Sequence, residues 1–264
     1  MVVTSPSLRR MSKTVVARVP YLNCAPFFYG LEADASREWM DVSPRQLGEE
    51  AQAGRIMAGP MALVDFLRLQ GQFERLGNLG IAVRGRCGSA LLFSRKPLRQ
   101  LDDTTIAVTE ETSTTALLLR LILEQRYELR LKGYQRGGPD DAEAALLIGD
   151  EALKCHATNR RYPYEVDLVF EWWLWQHLPF VFAVWAVRKD CEAAEKQRLL
   201  RTFQKQLAMN LARLETLANE RAATLGLPAD ELKRYLEAFT YRLSEPEERA
   251  MKQFDHLLHE HRLC

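Results

Sequence analysis

Hydrophobic and polar positions change period several times along this chain. Val15 to Val19 read as a strand, Pro20-Tyr-Leu-Asn-Cys-Ala-Pro26 as a turn, and Phe27 to Leu31 as a short helix. Ser43-Pro44, with Gln46, Glu49 and Glu50 behind it, is a capped helix start whose Leu47 and Ala51 share a face, and Gly54 should end that helix. Ile56 to Leu69 then predict a short strand, a break at Gly59-Pro60 and an amphipathic helix. Gly80 to Val83 and Ser89 to Ser94 predict two strands joined by Arg84-Gly85-Arg86-Cys87-Gly88. Strand and helix alternate, as in an α/β fold.

Lys96-Pro97-Leu98 opens a second alternating unit. It holds a strand at Thr105 to Thr109, a polar run from Glu110 to Thr115, a helix from Ala116 to about Tyr127, and a loop at Gly137-Gly138-Pro139. A strand from Ala144 to Gly149 and a helix from near Asp150 follow. After Val166 to Leu168 and the aromatic stretch Phe170 to Leu178 comes the apolar strand Pro179 to Val187. The apolar strands at 89–94 and 179–187 bracket the middle third, so the chain should leave one lobe on the first and return on the second. The expected division is a loose tail over 1–13, a first lobe of 14–94 plus 182–264, and a second lobe of 95–181, with crossings near Phe93 to Arg95 and Ala183 to Trp185. Beyond Arg188, Leu199, Phe203, Leu207, Leu211 and Leu214 recur at helical spacing, and Gly226-Leu-Pro228 separates that helix from two more.

Composition narrows the partners. Thirty-six Lys and Arg against 35 Asp and Glu leave a formal charge of +1, too little field to hold a polyphosphate or an anionic membrane surface. No nucleic acid or membrane partner is expected; a small molecule is. The longest apolar stretch, Leu178 to Val187, is half the roughly 20 residues that a bilayer span needs. The opening residues hold no apolar core of a signal peptide, and the scattered Cys24, Cys87, Cys155, Cys191 and Cys264 form no Cys-x-x-Cys pair, so a reducing cytoplasm is expected. His256, His259 and His261 lack a metal-binding spacing and sit at a helix end that favours cations, so no metal is expected.

Six segments carry a family resemblance: Pro20 to Glu32, Gly59 to Leu69, Gly80 to Leu98, Thr105 to Leu123, Ala144 to Leu153 and Leu178 to Arg188. In order, they resemble the chorismate dehydratase family, which begins the futalosine route to menaquinone, and Tyr241 to Ser244 are similar to the family's helical C-terminal tail. Gly59-Pro60-Met61, Cys24 and Cys87 depart from residues common in the family. The resemblance implies a two-lobed, type II periplasmic-binding-protein-like α/β fold with the ligand between the lobes. It also implies a cofactor-independent elimination of water from chorismate, giving 3-[(1-carboxyvinyl)oxy]benzoate. A sensor or solute-binding protein of the same fold without chemistry, and the sister 1,4-dihydroxy-6-naphthoate synthase, are the alternatives.

Chorismate is a dicarboxylate, and several positions offer donors. Thr112-Ser113-Thr114-Thr115, between a strand and a helix, could gather hydroxyls and free backbone N–H groups around a carboxylate, or simply cap the helix. Gly88 and Ser89 could present a hydroxyl and nearby N–H groups to a cleft, or form a hairpin loop. Asn23 could donate and accept, or stabilise its own turn. The resemblance implies catalytic roles for Asn23 and Ser89. Asp150 could touch substrate or be a structural carboxylate at a helix start. Trp172, Trp173 and Trp175 are read as interlobe cover or core.

Overall fold

The computed structural model describes residues 13–32, 37–139 and 142–263. Except for Lys13 the expected tail lies outside the described residues, as does Cys264. Strand β1 (Thr14–Arg18) leads through a 3-10 turn at Leu22–Cys24 into α1 (Ala25–Phe28), which starts two residues earlier than the sequence suggests, with Pro26 in its first turn. A proline there costs no helical hydrogen bond. After β2 (Arg37–Asp41), Ser43 opens α2 (Pro44–Gln52): its hydroxyl accepts from Gln46 N–H at 3.3 Å, and the Gln46 side chain accepts from Ser43 N–H at 3.0 Å.

Strand β3 (Ala58–Ala62) runs through Gly59-Pro60, where a break was expected, and ends at α3 (Leu63–Arg68). β1 pairs with β3 only at Val16 and Ala58, so the missing Pro60 N–H interrupts no ladder on that side. A Cβ on Gly59 would lie 2.9 Å from the Ala17 Cβ, so glycine is what lets the two strands approach. Next come β4 (Phe73–Val83), longer than its apolar half suggested, and β5 (Ala90–Ser94).

The middle of the chain supplies β6 (Thr105–Val108), α4 (Thr114–Arg120) continued by a π-helical stretch at Leu121–Arg126, β7 (Gly133–Arg136), β8 (Ala144–Ile148), α5 (Gly149–Thr158), β9 (Tyr164–Asp167) and α6 (Leu168–Gln176). It closes with β10 (Phe180–Arg188), α7 (Ala193–Leu211), α8 (Leu214–Leu225), α9 (Ala229–Glu237), β11 (Phe239–Arg242) and α10 (Glu245–Glu260).

Two sheets result, ordered β11-β4-β10-β3-β1-β2 and β7-β6-β8-β5-β9. β5 pairs antiparallel with β8 and β9 and so belongs wholly to the second sheet, while β10 belongs to the first. The chain therefore passes between sheets at 84–89 and 168–179. The expected crossing at Phe93 to Arg95 falls on the end of β5 and that at Ala183 to Trp185 inside β10, because apolar strands mark sheet interiors and the passages are made by the loop and helix beside them. Tyr241, read as part of a helical tail, is in β11, which pairs antiparallel with β4 at the sheet edge. Four residues are too few for a two-residue period to stand out between helices. The rest of the C-terminal region is helical.

Trp172 is fully buried, donates Nε1–H to Pro179 O at 3.1 Å and stacks edge-on against Phe180 and Phe254, so it packs core at the second passage. Trp173 lies under the Arg84 guanidinium, 4.7 Å from its ring centre, which joins the two passages. Among the described residues no helix is long and apolar enough to cross a membrane.

Candidate functional site

A cavity of about 60 Å³ lies between the sheets. Asn23, Ser89, Thr112, Ser113, Thr114 and Thr115 line it together, with an apolar complement that includes Pro60, Ile148 and Phe182. Six residues singled out in three separate segments thus meet at one point. Gly88 and Asp150 do not line it.

The turn that carries Asn23 is held from the opposite sheet. Leu22 N–H donates to Asp150 Oδ1 at 2.8 Å, and Arg221 donates to Asp150 Oδ2 at 2.9 Å. Both carboxylate oxygens are engaged away from the cavity, so Asp150 is a brace for this turn rather than part of the cavity wall. Burial pushes its pKa up; the Leu22 N–H and Arg221 oppose that shift. Asn23 Oδ1 is buried and has no hydrogen-bond partner among the described residues, which leaves an acceptor waiting for a donor. Tyr21 donates its hydroxyl to Glu111 and lays its ring against Gly149, where a Cβ would meet the ring at 2.7 Å. With φ at +58°, Gly149 is doubly unsuited to a side chain.

Ser89 is held from two directions. Gly85 and Gly88 take left-handed φ values of +90° and +74°, and the N–H groups of Cys87 and Gly88 both donate to Asp167 Oδ2 at 2.8 Å. Those N–H groups were expected to face the cleft; they are spent on Asp167, because a buried carboxylate at the start of α6 outbids open space for them. Asp167 Oδ1 also accepts from Val169 and Phe170 N–H at 3.0 and 3.1 Å, capping α6. Beyond this loop, Ser89 Oγ lies 2.8 Å from the Tyr235 hydroxyl and 3.3 Å from Cys87 Sγ. Ser89 O accepts from Gly149 N–H at 2.8 Å, tying β5 to the start of α5.

In the threonine run, part of the donor capacity serves the fold. Thr112 Oγ1 accepts from Thr115 N–H at 3.2 Å, and Thr114 Oγ1 accepts from Val64 N–H at 3.1 Å, joining α4 to the start of α3. Burial pushes the pKa of the nearby Asp65 up, and Ser113 opposes that shift. Each hydroxyl that accepts such a bond keeps its own hydrogen to donate. The capping and ligand-facing readings of this run are therefore compatible.

Among the described residues the only ionisable side chains lining the cavity are those of Tyr21 and Cys24, and both are held neutral. Burial and then Glu111 raise the Tyr21 phenol; burial, helped by Asp150, raises the Cys24 thiol. No carboxylate, imidazole, lysine or arginine stands among the described lining residues. Among the described residues no group of three or more His, Cys, Asp or Glu converges as metal ligands would, and His256, His259 and His261 pair with Glu260, Asp255 and Glu260.

Reasoning from the sequence missed Asp167 and Tyr235. A capping aspartate before the aromatic run was a visible signal for Asp167, though not for its hold on a loop 80 residues away. Tyr235 lies 146 residues from Ser89 on an amphipathic helix where any aromatic residue would fit the pattern, so no local signal marked it.

Comparison with known proteins gives the family and the fold. The family model described as menaquinone biosynthesis matches residues 14–260. The chorismate dehydratase of Thermus thermophilus is 32% identical over 253 residues, covering 89% of this chain and 91% of the relative. Among solved structures, a protein from Archaeoglobus fulgidus superposes with a TM-score of 0.78 at 19% identity, covering 96% of this chain and 98% of that one. The periplasmic aliphatic sulphonate-binding protein of Escherichia coli follows at 0.58 and 16%, covering 98% and 89%. These structures show the fold, a periplasmic-binding-protein-like arrangement with a helical C-terminal region. With the profile spanning nearly all its described residues and the Thermus relative matching along most of its length, the chain belongs to the menaquinone-biosynthesis family.

Proposed function

We propose that this protein is a chorismate dehydratase, a hydro-lyase that acts in the cytoplasm on the free dicarboxylate. In the reaction a ring C–H bond and the neighbouring C–O bond break, a carbon–carbon double bond completes the aromatic ring, and proton and hydroxyl leave as water. The product is 3-[(1-carboxyvinyl)oxy]benzoate. Aromatisation drives the step, so the protein needs chiefly to fix the reactive conformer and stabilise the departing oxygen.

The observation that carries this reading is the convergence of Asn23, Ser89 and Thr112 to Thr115 on a cavity with no side chain able to act as a base at neutral pH among the described residues of its wall. In such a site the hydroxyls and the asparagine amide orient the two carboxylates and the ring hydroxyl. The substrate's own enolpyruvyl carboxylate then takes the ring proton. Ser89 donates to the leaving hydroxyl, and the unpartnered Asn23 Oδ1 accepts from a substrate O–H. Gly88 contributes by shaping the Ser89 loop, and Asp150 by bracing the Asn23 turn, rather than by touching substrate.

At about 60 Å³ the cavity is well below the roughly 300 Å³ or more of ordinary ligand sites, which supports opening to admit substrate. The passages at 84–89 and 168–179 would serve as the hinge between two lobes. Closure would be sealed by bonds such as Leu22 N–H to Asp150 and Val64 N–H to Thr114.

Incubating the purified protein with chorismate and following the aromatic product by absorbance and mass tests the proposal. Stoichiometric binding of chorismate with no product would instead favour the binding-protein reading, which the sulphonate-binding neighbours share in fold.

A further inference from the structure

Ser89 can donate to a leaving hydroxyl only if its single hydrogen points into the cavity. Its oxygen lies 2.8 Å from Tyr235 Oη, and the Tyr235 side chain, on α9 of the C-terminal region, is buried. Two hydroxyls at that distance share one hydrogen between them, so one must donate and the other must accept. Among the described residues the Tyr235 hydroxyl has no hydrogen-bond partner but Ser89 Oγ. A phenol O–H that turned away from Ser89 would be buried unsatisfied, which is costly, whereas Ser89 has an open cavity into which its own hydrogen can turn.

We propose that Tyr235 is a positioning residue for the elimination: its O–H donates to Ser89 Oγ and thereby commits the serine hydrogen to the substrate's departing hydroxyl. The inference rests on the dehydratase reading of the site. Burial keeps the phenol well above the ordinary tyrosine range, so the donor stays protonated wherever the enzyme works. Ring packing places the hydroxyl: Tyr235 meets Phe239 edge-on at 4.9 Å, and Phe239 begins β11, which is paired to β4. Through this contact the C-terminal region, otherwise a flank of the first sheet, reaches the reacting centre. Cys87 Sγ, at 3.3 Å on the other side of Ser89, is a weaker partner whose buried thiol is pushed up to about 12 and so stays uncharged.

A double-mutant cycle on the full chain tests this, with kcat and KM on chorismate measured for Tyr235→Phe, Ser89→Ala and the double variant. Phenylalanine keeps the ring and its packing, so thermal melting should move by no more than a few degrees. The Phe variant should lose about tenfold or more in kcat with KM changed less than about threefold, since the committed hydrogen matters most as the oxygen departs. The double variant should be no slower than Ser89→Ala alone, because Tyr235 acts only through Ser89. Losses that multiply in the double variant would overturn the inference by showing a structural or independent role. A Phe variant at wild-type rate beside a crippled Ser89→Ala would overturn it while leaving the site reading intact. A Ser89→Ala enzyme at wild-type rate would overturn both.

Discussion

Two aspartates stand at helix starts in the second sheet, and they serve the candidate site in different ways. Asp150, in the first turn of α5, reaches across to the other sheet and holds the Asn23 turn through Leu22 N–H, with Arg221 as its counter-ion. Asp167, before α6, stays at the chain's first passage and holds the Ser89 loop through Cys87 and Gly88 N–H while capping its own helix. One carboxylate therefore makes a bond that exists only when the sheets are together; the other makes four bonds on one side. Neither lines the cavity. Carboxylates near this site set the positions of Asn23 and Ser89, and in the proposed reaction proton removal is left to the substrate.

The largest effect should come from Asp167. Asp167→Ala strips four N–H groups of their acceptor; with each hydrogen bond to a charged group contributing about 1.5–3 kcal/mol and some water entering, a net loss of about 3–5 kcal/mol is expected. Calorimetry should show a melting temperature lower by on the order of 10 °C, and dehydration should be lost. A variant with unchanged melting would mean that the loop stands without its anchor.

Next in size are Ser89→Ala and Asn23→Ala. Each removes a polar group from the cavity without removing core volume, so turnover should fall by about a hundredfold or more, roughly 2.7–4 kcal/mol; melting should stay nearly unchanged for Asn23→Ala and fall by a few degrees for Ser89→Ala, which strips the buried Tyr235 hydroxyl of its partner. Near-wild-type turnover in both would sink the site assignment.

Asp150→Asn should be milder. It keeps an oxygen for Leu22 N–H and gives up only the charge facing Arg221, so kcat should stay within about tenfold of wild type. A dead Asp150→Asn enzyme that still binds chorismate would make Asp150 the base and break the comparison. Stability offers a second check. Burial raises the folded pKa of Asp150 above its unfolded value near 3.8, so the folded state favours the protonated acid. That contribution is complete below pH 3.8 and is lost as pH rises through the folded value. The melting temperature of the wild type should accordingly fall relative to that of Asp150→Asn as pH is raised from acid toward neutrality.

Smallest of all is the expected effect of chelation. Chelator-treated protein with nothing added should turn over chorismate at the untreated rate. Activity lost on treatment and restored by one metal would reverse the expectation.

Much of the fold was legible along the chain. Ser43-Pro44 with Gln46 spelled a capped helix because a cap needs only residues three positions apart. The apolar blocks that became β5, β8 and β10 announced buried strands. Where reading failed, the deciding partner was remote or the element short. Gly59-Pro60 looked like a break because prolines interrupt ladders, but here the ladder to β1 had already ended. β11 was hidden among helices, since its four residues gain their order from β4. The N–H groups of the Ser89 loop looked free because their acceptor is 80 residues away.

By itself the sequence determined most of the order of elements, though not the short strands β2, β7 and β11, as well as the near-neutral charge that favours a small ligand over polyanions and, through family resemblance, the hydroxyl and amide residues that meet at the cavity. Those properties depend on side-chain chemistry and on periods of two to four residues, which the chain carries locally. Only the tertiary structure decided which donors are already spent, that Asp150 and Asp167 face away from the cavity, and that Tyr235 stands behind Ser89. A hydrogen bond is made over about 3 Å of space whatever the separation along the chain. Its partner is chosen by how the two sheets and the C-terminal helices dock, and no local period encodes that choice.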